Sequence, residues 1–310
     1  MGLINTLSAS PEWIIVDWGT TNFRAFIMSA DNTCIERIER KTGLLQVKDR
    51  AFEDVLRNNL AQWFDASPNL PVFMAGMIGS KQGWHEADYI STPLSLTSLS
   101  DACLRFNTTW GSEVLIVPGV CHSVNESKFD VMRGEEVQLL GLLQLGFDKN
   151  CFAILPGTHS KHAQISDGKL HSFSTFMTGE FFALLSEHSI LGKNLSEQIL
   201  SPDVFAKGVI DGQEGNLMHT AFMARTHRLF GQIEESEIHD YISGLLIGKE
   251  VADIDDTTYI ISNAQLGKRY AIACGILNKV ATTISGDDCF IAGMSALREQ
   301  VLCQTTNHCH

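Results

Sequence analysis

The chain has 310 residues, of which 44% are hydrophobic and 19% charged, and its formal net charge is −13. This composition excludes a disordered chain and provides enough apolar residues for the cores of two ordinary domains. The acidic balance argues against a nucleic-acid partner, which requires a basic face. It permits a small anionic substrate, because a pocket can be locally basic inside an acidic protein.

Eight scattered cysteines include no C-x-x-C pair. That usage predicts reduced thiols in a cytoplasmic protein rather than a disulfide framework or a structural zinc site. The C-terminal cluster of Cys303, His308, Cys309 and His310 could bind a metal or form a frayed tail. We find no stretch of about 18 apolar residues, so we predict no membrane-spanning segment and no membrane partner.

The chain opens with a predicted three-stranded meander. Residues 13–16 are a continuous apolar run, which is typical of a strand buried on both faces. A turn at 17–22 and a second turn at Asp31-Asn32 separate it from strands at 23–28 and 34–38. The pattern then predicts further elements up to residue 146: a helix at 51–64, strands at 71–75 and 113–117, and an apolar helix at 135–146.

The same meander returns in the second half of the chain. Strands are predicted at 151–155, 161–165 and 170–173, and Gly157-Thr158 occupies the place that Gly19-Thr20 has in the first meander. A repeat of this length favours a duplicated α/β domain, divided as 1–148 and 149–310; two unrelated hairpins that both use turn glycines are the alternative. The rest is predicted to be mainly helical, with helices near 181–185, 238–251 and 270–282 and strands at 258–262 and 287–292.

Both glycine turns suit phosphate binding, because backbone N–H groups in a tight turn can approach phosphate oxygens without a bulky side chain. The candidate phosphate-binding residues are Gly19, Thr20, Thr21, Gly157, Thr158, His159 and Ser160. Asp17 ends a buried strand and is a candidate anchor for Mg²⁺, bound through water. Alternatively, Asp17 caps the strand's exit as an Asx turn residue.

A carboxylate pair begins the predicted apolar helix. Glu135 and Glu136 follow Arg133-Gly134, and a kinase needs a carboxylate that accepts the proton of the attacking hydroxyl. Acidic residues also favour a helix N-terminus through the helix dipole, which would explain one or both. The glycine permits a ligand to approach closely, which favours Glu135 as the catalytic base. Arg133 could bind an anionic substrate in bidentate geometry.

Asp17-Trp18-Gly19-Thr20-Thr21-Asn22 resembles the first phosphate motif of the acetate and sugar kinase, heat-shock 70 and actin superfamily, and Gly157-Thr158 resembles the second. Gly134-Glu135-Glu136-Val137-Gln138 resembles the carbohydrate-kinase element that carries the catalytic base, with glutamate in place of aspartate. The resemblance implies a two-domain, actin-like and ribonuclease H-like ATPase fold with ATP in a cleft between the domains. It places Ser262-Asn263-Ala264 where the superfamily has its glycine-rich adenosine loop, although the glycines are absent.

Within this superfamily the chain is similar to the 2-dehydro-3-deoxygalactonokinase family. The resemblance rests on segments in the same order along the chain: 16–25, 75–80, 118–119, 132–136, 155–161, 177–180 and 243–248. It implies transfer of the γ-phosphate of ATP, with Mg²⁺, to the C6 hydroxyl of 2-dehydro-3-deoxy-D-galactonate in galactonate breakdown. A carboxylate substrate requires a cation, and the candidate substrate-binding residues are Arg24, Gly76, Met77, Ser80, Lys81, Trp84 and Arg133.

Alternatives remain open from the sequence. A kinase for another ketodeoxy or aldonic acid, such as the gluconate epimer, would differ only in its hydroxyl contacts. A sugar or nucleotide sensor without catalysis and an exopolyphosphatase-like hydrolase are further possibilities on the same fold. Trp84 could line the sugar site or serve only in packing. A homodimer is expected.

Overall fold

The computed structural model describes residues 10–125, 127–254 and 258–307. The chain divides into two compact units. The first unit comprises the chain up to Phe147 together with the C-terminal segment from Cys289, and the second runs from Asp148 to Asp288.

Up to Phe147, the described part of the first unit contains nine strands and four helices. Its strands are β1 Pro11–Trp18, β2 Phe23–Ser29, β3 Cys34–Arg40, β4 Val72–Ala75, β5 Ile90–Ser91, β6 Leu104–Asn107, β7 Glu113–Ile116, β8 Val120–Asn125 and β9 Lys128–Met132. Its helices are α1 Phe52–Asn59, α2 Ala61–Ala66, α3 Leu96–Asp101 and α4 Glu135–Gln144, with short 3-10 turns at Leu44–Gln46 and Met77–Gly79. The predicted helix at 51–64 is therefore two helices that meet at Leu60.

A six-stranded sheet of order β3-β2-β1-β4-β7-β6 forms the centre of the first unit. The meander β1-β2-β3 is antiparallel, whereas β1, β4 and β7 run parallel. Residues 13–16 of β1 are completely buried, as expected for a central strand with neighbours on both sides. Strands β5, β8 and β9 form a separate small sheet.

The second unit holds β10 Cys151–Leu155, β11 Ser160–Ser166, β12 Lys169–Phe176, β13 Thr258–Ser262 and β14 Ala281–Ser285. They form one sheet of order β12-β11-β10-β13-β14. Its helices are α5 Thr178–Ala183, α6 Pro202–Gln213, α7 Leu217–Thr220, α8 Met223–Leu229, α9 Ile238–Val251 and α10 Ala264–Ile276. A π-helix at Leu184–His188 extends α5, and a 3-10 turn at Glu235–Glu237 precedes α9.

The predicted duplication is confirmed by strand order. Each unit has an antiparallel meander followed by two parallel strands, so β3-β2-β1-β4-β7 corresponds to β12-β11-β10-β13-β14. The turns of the first hairpin in each unit differ in length by one residue. Strands β1 and β2 pair as far as Trp18 and Phe23, which leaves residues 19–22 in the turn; β10 and β11 pair as far as Leu155 and Lys161, which leaves residues 156–160.

The C-terminal segment differs from the prediction. Helix α11, Gly286–Asn307, replaces the predicted strand at 287–292, and the predicted helix at 270–282 ends at Ile276. From Cys289 onward this helix packs in the first unit, so a single division at residue 148 is wrong for that segment. Two glycines allow α11 to pack closely against α4. A Cβ on Gly141 of α4 would lie 1.7 Å from the Cys289 carbonyl oxygen, and a Cβ on Gly293 of α11 would lie 2.1 Å from the Val137 carbonyl oxygen.

The seven cysteines in the described ranges are free thiols. Cys303 is exposed, whereas His308, Cys309 and His310 lie outside the described residues, so the tail's metal binding stays a prediction. The same ranges hold no group of three or more His, Cys, Asp or Glu side chains able to bind a metal ion. None of the helices described is long and apolar enough to cross a membrane.

Candidate active site

The first glycine turn joins β1 to β2 and presents Thr20 and Thr21 at the surface. Residues 43–45 hold the carbonyl oxygens of this turn. The Gly43 N–H donates to Thr21 and the Leu44 N–H to Gly19, both at 3.0 Å, and the Leu45 N–H donates to Thr20 at 3.1 Å. A Cβ on Gly43 would lie 2.4 Å from the carbonyl carbon of Thr21. Only glycine therefore fits behind this turn, and three backbone hydrogen bonds support the turn.

The second glycine turn is held in a similar way. Gly179 follows β12 by three residues, as Gly43 follows β3, and a Cβ on Gly179 would lie 2.5 Å from the Gly157 carbonyl oxygen. The Glu180 N–H donates to the Thr158 carbonyl at 3.0 Å. A Cβ on Gly157 itself would meet no atom within 4 Å, so the outer side of this turn is open to an approaching ligand.

The polar side chains of the second turn have different surroundings. Thr158 is exposed, and the ring Nε2 of the half-exposed His159 lies 2.5 Å from Oε2 of Glu180. Ser160 is completely buried, and its hydroxyl donates to Oε1 of Glu250 at 2.6 Å. The Ser160 side chain thus lies beneath the turn and does not offer its hydroxyl to phosphate, in contrast to the sequence prediction.

Three parts of the first unit meet at Gly76. Asp17 is the penultimate residue of β1 and is paired with Arg24, whose Nε donates to Oδ2 at 3.1 Å. Gly76 has φ of +94°, and a Cβ there would lie 3.1 Å from Oδ1 of Asp17 and 3.0 Å from the Trp18 carbonyl oxygen. Gly134 has φ of +111°, and its Cβ would lie 3.3 Å from the Gly76 Cα. The glycines therefore bring Asp17 and the start of α4 to the same place.

The two carboxylates at the start of α4 have unequal access. Oε2 of Glu135 accepts from the Arg133 N–H at 3.1 Å, and Oε2 of Glu136 accepts from the Gly134 N–H at 2.6 Å. Both act as helix-start acceptors, as the dipole predicts. Glu136 is completely buried and its Oε1 has no hydrogen-bond partner in the described chain, whereas Glu135 is half-buried. Of the pair, Glu135 is the one a substrate can reach.

Glu136 gives the fold a pH dependence. Burial, followed by the neighbouring charge of Glu135, raises the pKa of Glu136 from 4.5 to about 8. Its protonated form stabilises the fold below pH 4.5, and this contribution is lost as the pH rises towards 8, at about 1.4 kcal/mol per pKa unit. We expect Glu136→Gln to match the wild type at pH 5 and to exceed its free energy of unfolding at pH 8.5, measured in urea.

Glu135→Gln is the matched control for that measurement, because it changes the adjacent but half-buried carboxylate. It should alter the difference in the free energy of unfolding between pH 5 and pH 8.5 much less than Glu136→Gln does. An equal pH dependence in Glu136→Gln and the wild type would show that the buried carboxyl does not titrate in this window.

A pocket of about 330 Å³ opens beside this meeting point. Its lining includes Met77, Ser80, Lys81, Gln82, Glu86, Ala87, Asp88, Tyr89 and Arg133. The Arg133 guanidinium lies 4.5 Å from the Tyr89 ring centre, and its Nη2 donates to the Ala87 carbonyl at 2.8 Å. Its Nε and Nη1 are buried without a hydrogen-bond partner in the part of the chain that the structure describes. A buried guanidinium with unpaired donors favours an anionic group in the pocket that it lines.

The pocket thus brings together four of the seven predicted substrate-binding residues: Met77, Ser80, Lys81 and Arg133. Gly76 is adjacent, in the contact between Asp17 and Gly134. Arg24 is not in the pocket lining and instead pairs with Asp17. Trp84 is also absent from that lining; its ring packs edge-on against Phe106, 5.0 Å away, and against the core, as the packing alternative predicted.

The predicted adenosine segment lies between β13 and α10. Asn263 caps the helix, its Oδ1 accepting from the Leu266 N–H at 3.0 Å. Ser262 is buried, and its hydroxyl has no hydrogen-bond partner among the described residues. Ala264 begins α10 and is exposed. Small side chains thus occupy 262–264, although the exposed polar side chain of this segment, Asn263, already serves as a helix cap.

Three residues near the site, Gly43, Gly179 and Tyr89, were not predicted from the sequence to have a role in it. A signal existed for the two glycines, because each follows the third strand of its meander by three residues. Tyr89 lies in an irregular segment without periodicity, and only folding places it beside Arg133.

The repeated strand order and the paired glycine turns define a two-domain ATPase fold of the actin and sugar-kinase type. The fold is shared with the activator of 2-hydroxyisocaproyl-CoA dehydratase from Clostridium difficile, whose structure contains bound ADPNP (TM-score 0.50, 10% identity, 95% of this chain and 97% of that one covered).

A more specific assignment comes from closer relatives. A family model for 2-keto-3-deoxy-galactonokinase matches residues 17–297, and the chain belongs to this family. It is 32% identical to 2-dehydro-3-deoxygalactonokinase of Escherichia coli strain K12 over 94% of this chain and 98% of the relative. A solved structure described as a 2-dehydro-3-deoxygalactonokinase protein from Sinorhizobium meliloti superposes with a TM-score of 0.84 at 29% identity, covering 93% of this chain and 99% of that one.

Proposed function

We propose that the chain transfers the γ-phosphoryl group of ATP to the C6 hydroxyl of 2-dehydro-3-deoxy-D-galactonate in galactonate breakdown. Membership of the family supports the reaction class. The observation that carries the substrate class is the pocket beside Gly76, where the buried Arg133 has two unpaired donors. A ketodeoxy acid would supply a carboxylate to pair with this guanidinium.

Arg133 binds the substrate carboxylate in this proposal. Gly79 makes room for the guanidinium, since a Cβ there would lie 2.9 Å from Nη1. The Nη2 contact with Ala87 and the Tyr89 ring hold the guanidinium in one orientation, which favours binding of an anionic group. Lys81, which is exposed, adds positive charge at the pocket's edge.

Glu135 acts as the catalytic base. It lies next in sequence to Gly134, which contacts Gly76, and two residues from the pocket-lining Arg133. Its carboxylate would accept the proton as the substrate hydroxyl attacks the γ-phosphorus. The hydrogen bond that Glu135 accepts from the Arg133 N–H keeps its carboxylate at the helix start.

Each glycine turn would bind phosphate oxygens through its backbone N–H groups, and the exposed Thr20, Thr21 and Thr158 would add hydroxyl donors. Asp17 fits a Mg²⁺ site, because one carboxylate together with waters and phosphate oxygens suffices for this ion. Mg²⁺, when bound, would neutralise charge on the phosphates. Arg24 would hold the Asp17 carboxylate in place.

The test is an acceptor panel with ATP and Mg²⁺, read out as ADP formation. We expect ADP to form with 2-dehydro-3-deoxy-D-galactonate, to form more slowly with the gluconate epimer, and to stay at background without acceptor. Phosphate release without acceptor would favour the hydrolase, and nucleotide binding without turnover would favour the sensor. The homodimer and the cytoplasmic location stay predictions; sedimentation velocity measures the former.

A further inference from the structure

A buried carboxylate on α9 lies beneath the second glycine turn. Oε1 of Glu250 accepts from the Ser160 hydroxyl at 2.6 Å and lies 2.9 Å from Nε2 of His162. Oε2 accepts from the Tyr270 hydroxyl at 2.6 Å. Three elements therefore meet at one carboxylate: β11, where the turn ends, and helices α9 and α10.

Because Glu250 is buried, its carboxylate depends on these hydrogen bonds. The Glu250 side chain is only 1% exposed, and a buried carboxylate is tolerated only when its oxygens are hydrogen-bonded. Burial and the Glu250 charge raise the pKa of Tyr270 well above its ordinary value, so the phenol keeps its proton and donates. Loss of any of these contacts would leave polar atoms unsatisfied directly under the turn.

The partners of Glu250 belong to the two segments predicted to contact the nucleotide. Ser160 is the first residue of β11 and ends the phosphate turn. Tyr270 lies on α10, which starts immediately after the predicted adenosine segment 262–264. Gly179 packs against Gly157 and Thr158 in the same turn. The turn is thus supported both by Gly179 and by the Glu250 carboxylate.

We propose that Glu250 is a positioning residue for ATP: it fixes the second phosphate turn relative to α10 without touching the nucleotide. This inference rests on the proposed kinase function. Its consequence is selective, since a loosened turn weakens nucleotide binding while the Arg133 pocket, which lies in the first unit, keeps its own contacts.

A matched control lies on the same helix. Asp240 of α9 is also buried, accepts from the Ser201 N–H at 2.6 Å and pairs with Arg269 of α10 at 2.8 Å. Like Glu250, it connects α9 to α10 through a charged contact. Neither of its partners belongs to the phosphate turn, so Asp240→Asn measures the general cost of disturbing this helix pair.

The experiment compares Glu250→Gln with Asp240→Asn. The glutamine amide replaces one carboxylate oxygen by an NH2 group, so either Ser160 or Tyr270 loses its acceptor, and we expect the KM for ATP to rise about tenfold. The KM for the sugar acid should stay within about twofold, and Asp240→Asn should leave both KM values within about twofold after correction for active fraction. Tyr270→Phe removes one donor and should raise the KM for ATP by a smaller factor. It takes the place of Glu250→Gln in this comparison if that variant does not fold.

Hydrogen exchange of peptides covering residues 156–160 gives a readout without catalysis. We expect faster exchange in Glu250→Gln than in Asp240→Asn. Equal exchange and equal KM values for ATP in the two variants would overturn the role of Glu250. A wild type that phosphorylates no acid would instead refute the proposed function, and the exchange comparison would still decide whether Glu250 fixes the turn.

Discussion

Glu135→Gln should lower the turnover number by about a hundredfold or more, because a general base contributes about 10² to 10⁴ to such a reaction. The amide has nearly the shape of the carboxylate and can still accept from the Arg133 N–H, so α4 should start as before. Binding of ADP should be unchanged, as measured by calorimetry. Turnover is measured by coupled ADP release at saturating ATP and sugar acid.

Glu136→Gln is the control for this variant, because it alters the neighbouring carboxylate that is completely buried. It should keep a turnover within a few-fold of the wild type at pH 7, since a substrate cannot reach it. Near-normal turnover in Glu135→Gln, or an equal loss in both variants, would remove Glu135 as the base.

Arg133→Met should raise the KM for the sugar acid by roughly a hundredfold, because two charge-assisted hydrogen bonds to the substrate carboxylate are lost. The unbranched methionine side chain fills much of the space beside Tyr89, so the pocket should keep its shape. The KM for ATP should stay within about twofold, because Arg133 contacts neither phosphate turn in this proposal. Steady-state kinetics with each substrate varied in turn measures both constants.

Lys81→Met tests whether the effect is specific to the buried cation. Lys81 is exposed at the edge of the same pocket, and exposed ion pairs contribute about 0 to 1 kcal/mol, so the KM for the acid should rise by about fivefold at most. A larger effect from Lys81 than from Arg133 would move the carboxylate site to the pocket's edge. A parallel loss of ATP binding in Arg133→Met would indicate general damage to the unit.

Buried strands and their turns could be predicted from sequence, because an apolar run that ends in glycine has few alternative structures. The strands at 13–16 and 151–155 and the duplication that follows from them are examples. The secondary structure of the C-terminal part was harder to predict from the sequence. Residues 281–285 alternate poorly and are largely exposed in β14, whereas the apolar Cys289-Phe290-Ile291-Ala292 resembles a strand but lies in α11.

Site residues close in sequence were easier to predict than those that only folding brings together. Asp17 and the Gly19 turn are contiguous, and Glu135 follows Arg133 directly. Glu250 lies ninety residues from Ser160, and no local pattern indicates that they meet. Arg24 shows a contact that the motif does not reveal: its register opposite Asp17 pairs the two side chains, and its role in substrate binding stays a prediction.

In the proposed reaction, ATP phosphorylates the C6 hydroxyl of a ketodeoxy sugar acid. The most direct measurement is nuclear magnetic resonance of the product formed from ¹³C-labelled 2-dehydro-3-deoxy-D-galactonate, ATP and Mg²⁺. We predict ³¹P coupling to C6 and its neighbour C5, with one ADP formed per product and no inorganic phosphate. Inorganic phosphate as the only phosphorus product besides ADP, or coupling to another carbon, would rule out phosphorylation at C6.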